Sequence, residues 1–157
     1  MRTNTFIFVL LCLLVLGFTA CGRFSDVEYI QISQESKDID GVNELKKFLE
    51  EKKVVFTSEE IEGESDYIPG KRTIFHINDE KVITHQFSSV SEAEGYKNNF
   101  DSGGCTIGNN KISWAGYPHF YQKWNLIVEY VGYSDNLAKA LEELLGVQFS
   151  GHYATGN

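Results

Sequence analysis

The chain has 157 residues, a formal net charge of −8, and a composition that is 42% hydrophobic, 13% aromatic and 23% charged. That length fits one folded domain, and eleven Phe, eight Tyr and two Trp supply a core, which excludes wholesale disorder. Twenty-two acidic against 14 basic residues argue against nucleic acid as a partner, because phosphate binding needs a basic face, and three Cys are too few for a disulfide scaffold.

The N-terminal segment is the most informative. Met1-Arg2 supplies a positive charge and Phe6 to Leu16 is an unbroken apolar run. Even counted to Ala20, the segment falls short of the roughly 20 residues that a membrane-spanning helix needs. A charged start, a short apolar stretch and small residues before a cut are the layout of a secretory signal over residues 1–20. Its end, Phe18-Thr19-Ala20-Cys21, resembles a bacterial lipoprotein lipobox, although Phe18 and Thr19 are not the commonest residues there. The resemblance implies cleavage between Ala20 and Cys21, a diacylglyceryl group with palmitate-type chains on the Cys21 sulfur, and a cell-membrane location on the extracytoplasmic side. Two acyl chains make a stable anchor where one is marginal.

Without residues 1–20, which hold Arg2 and no acid, the remaining 137 residues carry a net charge of −9. Such a domain should stand off an anionic lipid surface and leave the tethering to the lipid. Cys12 leaves with the signal and Cys21 is spent on lipid, so Cys105 stands without a partner for an intramolecular disulfide.

Residues 21–41 are the lipidated Cys and a polar tether, within which Val27 to Ile32 could pair as a short strand. Residues 42–157 read as one α+β domain. Val42, Leu45, Phe48 and Leu49 predict a helix over Val42 to Lys53, capped by Asp40 or Asn43. Val54 to Thr57 predicts a strand. The acidic run from Glu59 to Asp66 reads as a solvated loop and lacks the spacing of a calcium-binding EF-hand. Arg72 to Ile77 and Lys81 to Phe87 form a hairpin about Asn78-Asp79-Glu80. It carries His76 and His85, which could be cross-strand neighbours, but two His alone do not make a metal site.

Ser88 to Phe100 predicts a second helix, with Ser89 and Glu92 as a capping box. Gly103 to Gly108 is glycine-rich without the spacing of a phosphate cradle. Lys111 to Trp114 predicts a short strand. Phe120-Tyr121 and Leu126 to Val131 form a second hairpin about Gln122 to Asn125. Ser134 caps a last helix whose stripe is Leu137, Leu141, Leu144 and Leu145, and Gly146 ends it. Phe149 and Tyr153 in the tail should pack back. The expected fold is therefore α+β, a mostly antiparallel sheet with about three helices on one face, in which a helix-strand-hairpin unit occurs twice.

From Ile68 onward the order of motifs resembles a group of small uncharacterised bacterial lipoproteins and secreted proteins. The matching residues are Ile68-Pro69-Gly70, Phe87, Glu92 to Glu94, Asp101 to Gly104 and Cys105-Thr106-Ile107-Gly108. They continue with Trp114, Pro118-His119-Phe120-Tyr121, Ile127 to Gly132 and Leu145-Gly146-Val147-Gln148-Phe149-Ser150-Gly151. Cys105 stands where the group tends to have Ser, Trp124 where a Gly is usual, and Ser150 where it has Ala. The resemblance implies a lipoprotein and carries over no catalytic residue.

Between Trp114 and Trp124 the chain packs seven aromatic, His and Pro residues together. Trp114, Tyr117, His119, Tyr121 and Trp124 are either contacts for a partner or ligand or core and cross-strand pairs. A thiol enzyme pairing Cys105 with His119 has no support in the spacing. The function expected is a non-enzymatic lipid-anchored module that binds a protein or envelope component at the outer face of the membrane. The alternative is an extracytoplasmic small-ligand carrier or sensor using a pocket between sheet and helices. Neither reading assigns a catalytic residue, a metal or a cofactor.

Overall fold

A computed structural model describes residues 39–63 and 65–152. The expectations for the signal, Ala20, Cys21, the tether strand and Tyr153 lie outside the described residues.

The first helix, α1, spans Gly41–Glu51, and its N-cap is Asp40, whose carboxylate accepts the Asn43 amide. Val42, Leu45 and Leu49 form its buried stripe. Helix α2 (Val90–Tyr96) starts at Ser89, whose hydroxyl accepts the Glu92 amide, and a 3₁₀ turn over Lys97–Asn99 continues it. The Glu92 carboxylate reaches back to the Ser88 amide, 3.1 Å away, and to the Ser88 hydroxyl. Helix α3 (Asp135–Leu145) is capped by the Ser134 hydroxyl and stops at Gly146, whose φ of +90° a larger residue would resist.

Six strands form one antiparallel sheet: β1 (Phe56–Ile61), β2 (Lys71–Ile77), β3 (Glu80–Gln86), β6 (Tyr117–Lys123), β7 (Leu126–Gly132) and β8 (Ser150–Gly151). Their order is β1-β2-β3-β7-β6-β8. Two further strands, β4 (Thr106–Ile107) and β5 (Asn110–Lys111), pair as a separate ribbon. The β2–β3 hairpin turns through Asn78 and Asp79, both at positive φ, as a tight turn matched to strand twist requires. The β6–β7 hairpin turns through Trp124 and Asn125, with Trp124 held at φ +53°. Trp there accepts a conformation that glycine takes without strain.

Strand alternation gives the sheet two buried faces. One packs Phe75, Ile77, Val82, Tyr121, Leu126, Val128 and Tyr130 against Leu45 and Leu49 of α1 and Leu141 and Leu144 of α3. The other packs Phe120 and Ile127 against Ile68, Ala93 of α2 and Ile107 of β4. The expectation of helices on one face is thus corrected. Helix α2 covers the face opposite α1 and α3, because its one buried position, Ala93, joins the Phe120–Ile127 layer.

Four other expectations change. Strand β1 runs on through Glu59 and Glu60, which had been read as loop. It is an edge strand, so their carboxylates stay in water while the backbone pairs with β2. The strand placed over Lys111 to Trp114 ends at Lys111, because Trp114 turns inward and its indole N–H donates to the Gly104 carbonyl at 2.8 Å. His76 and His85 are not cross-strand neighbours: the register sets His76 opposite Lys81 and His85 opposite Arg72. The helix-strand-hairpin order occurs once, as α1, β1 and the β2–β3 hairpin; after α2 the two-stranded β4–β5 ribbon takes the place of a single strand before the β6–β7 hairpin.

Asn125 locks the helix layer to the sheet. Its side-chain oxygen accepts the Gly41 amide at 3.0 Å, and its amide nitrogen donates to the Phe87 carbonyl at 2.9 Å. A methyl group at Gly41 would lie 2.6 Å from Leu126 Cγ and 2.7 Å from Asn125 Oδ1, so the approach of α1 needs glycine.

Candidate functional site

The aromatic stretch from Trp114 to Trp124 does not converge on one surface. Trp114 is half-buried on the α2 side, edge-on to Tyr67 with ring centroids 5.6 Å apart. His119 and Tyr121 face the α1–α3 side. His119 stacks on Tyr130 with centroids 5.5 Å apart, and its Nδ1 lies 2.8 Å from Gln148 Oε1. Tyr121 is buried and its hydroxyl donates to the Ala138 carbonyl at 3.1 Å. Burial, then the nearby Glu142 charge, pushes that hydroxyl above the usual tyrosine range. Trp124 occupies the far hairpin turn, packed on the helix-side core, with the Lys123 ammonium 5.1 Å from its ring.

Tyr117 is the member that faces solvent, at 44% exposure. It stacks on His152, with centroids 3.8 Å apart and planes 7° from parallel, and meets Tyr133 edge-on at 5.2 Å. Tyr133 is 69% exposed, and its hydroxyl donates to the Ala115 carbonyl at 2.8 Å. The three rings make an aromatic patch at one end of the β6–β7 hairpin. Tyr133 and His152 were not among the residues drawn from the sequence. The available signal was Gly132-Tyr133-Ser134, an aromatic stranded between a strand end and a helix cap.

Beside the patch, a shallow depression is lined by Gly103, Cys105, Trp114, Tyr117 and His152. The Cys105 thiol is exposed and lies 3.7 Å from the Gly103 carbonyl. The imidazole sharing this depression with Cys105 is that of His152; His119 does not line it.

A second concavity of about 500 Å³ lies between α1 and α3, over the β2–β3 turn. Leu49, Ile77, Leu141 and Leu144 are its buried apolar residues; Phe48, Val54 and Leu137 are partly exposed. The charged groups lining it are Lys52, Glu80 and Glu143. Tyr130 orders one end. Its hydroxyl oxygen accepts the Ser134 amide at 2.9 Å. Burial raises the pKa of that hydroxyl, and Glu80 adds to the rise.

The third arrangement is buried in the α2-side layer. Glu129, in the middle of β7, is 4% exposed. Tyr67 Oη lies 3.3 Å from both of its carboxylate oxygens, and His85 Nε2 lies 3.2 Å from Oε2. Burial pushes the Tyr67 hydroxyl far above the usual tyrosine range, and the charge and hydrogen bond of Glu129 push the same way. His85 Nδ1 has no hydrogen-bond partner. This group holds the loop before β2 onto the sheet. The sequence signal was a carboxylate inside an apolar strand, Ile127-Val128-Glu129-Tyr130-Val131.

Among the described residues, no three His, Cys, Asp or Glu side chains gather as a metal site requires, and no helix is long and apolar enough to cross a membrane. No family model, curated protein or solved structure matches the chain.

Proposed function

We propose that this chain is a non-enzymatic recognition module held at the extracytoplasmic face of a bacterial cell membrane by lipid on Cys21, where it binds a protein or envelope component. The anchor rests on the resemblance of Phe18-Thr19-Ala20-Cys21 to a lipobox. The observation that carries the recognition reading is the patch in which exposed Tyr117 and Tyr133 meet half-buried His152. Exposed Tyr rings offer large contact area at little conformational cost, which is why partner sites use them.

A photo-crosslinking amino acid at position 133 in intact cells tests this. The expected result is one discrete adduct in the membrane fraction, reduced by Tyr117→Ala and lost with Cys21→Ser. Absence of any discrete adduct, with the protein folded and membrane-bound, overturns the recognition reading. Recovery of the wild-type chain away from membranes overturns the anchor.

A second reading is favoured by the α1–α3 groove. Its volume of about 500 Å³ and apolar lining suit a small-ligand carrier or sensor.

A further inference from the structure

We propose that the α1–α3 groove takes an apolar ligand bearing a cationic group, of the alkylammonium class. The inference rests on the reading of this groove as a ligand site. The apolar part follows from the lining. Leu49, Ile77, Leu141 and Leu144 are already withdrawn from water, while Phe48, Val54 and Leu137 keep part of their apolar surface wet. An alkyl chain lying along these residues removes that surface from water on both sides.

The sign of the charge follows from the edge. Among the described residues that line the groove, Glu80 and Glu143 stand against one cation, Lys52. Lys52 is partly engaged, with its ammonium 5.4 Å from the centroid of Phe48 in the preceding turn of the same helix. A ligand cation therefore meets two carboxylates, whereas an anion meets both as repulsion and must compete with Phe48 for Lys52.

The test is a titration of the full chain in a neutral detergent with n-hexylammonium, n-hexanol and n-hexanoate, read from the methyl NMR shifts of Ile77 and Leu141. Hexylammonium should bind about fivefold more tightly than hexanol, the size expected of two partly exposed charge contacts, and hexanoate most weakly. Raised salt should narrow the gap. The double substitution Glu80→Gln/Glu143→Gln should erase the cation preference and leave hexanol binding in place; Glu143→Gln alone, at an exposed position, should halve it if the double variant folds poorly. Ala140→Trp, at an exposed groove position, should block all three probes. Equal binding of hexanol and hexylammonium, or tighter hexanoate, overturns the charge inference while the groove stands as a ligand site. No methyl shift with any probe, or shifts indifferent to Ala140→Trp, overturns the groove reading itself.

Discussion

Removing the Glu129 carboxylate leaves the half-buried Tyr67 hydroxyl and the buried His85 Nε2 without this acceptor. Glu129→Ala should therefore lower stability by about 3 kcal/mol, since stranded buried donors cost more than the bond they lose. Glu129→Gln keeps an acceptor and should cost less. Urea unfolding followed by circular dichroism measures both; equal and negligible costs would show that the cluster does not hold the loop. Tyr67 and two tyrosines of the other core set an alkaline limit. Tyr67, Tyr121 and Tyr130 all have folded pKa values raised above the unfolded value, chiefly by burial. The stability this represents is fully present below about pH 10 and is lost as pH rises through the folded values. Phenolate absorbance should show part of the eight Tyr ionising at higher pH in the native chain than in urea. Simultaneous ionisation of all eight in both conditions would refute the burial argument.

At the level of elements, β1 shows how charge guards an open edge. Its exposed Glu59 and Glu60 pair with β2 side chains, Glu59 to His76 at 3.2 Å and Glu60 to Lys71 at 2.9 Å, and such exposed pairs contribute little stability. Their consequence is solubility of the edge. Glu59→Val/Glu60→Val should leave the unfolding midpoint within a few degrees and promote self-association, visible by sedimentation velocity. A double variant as monodisperse as the wild type would remove this role. The same strand marks where the sequence is legible. The Ser89 cap, the Asn78-Asp79 turn and the Leu stripe of α3 are local signals, and each forms where its residues predict. Glu59 and Glu60 read as loop because an edge strand tolerates the charges that a central strand cannot. The face chosen by α2 and the meeting of Tyr67, His85 and Glu129 depend on contacts 44 and 62 residues apart, which no local pattern encodes. The aromatic stretch was visible as a cluster, yet strand alternation sends Phe120 and Tyr121 to opposite faces, so nearness in sequence became separation in space.

For the whole molecule, a single sheet serves two cores, one closed by α1 and α3 and the other by α2 and the β4–β5 ribbon. Because β6 and β7 contribute side chains to both, neither core can dissolve alone without exposing the other's floor, and unfolding should be one cooperative event. The two tryptophans are divided between them: Trp124 packs on the α1–α3 side and Trp114 on the α2 side. Each is therefore a fluorophore for one half of the interior. Trp114→Phe leaves emission from the helix-pair core, and Trp124→Phe leaves emission from the loop-covered core. The two emission transitions should coincide in denaturant; if they separate, the chain melts layer by layer. The native protein thus carries its own two-channel optical readout, one indole for each layer of the interior.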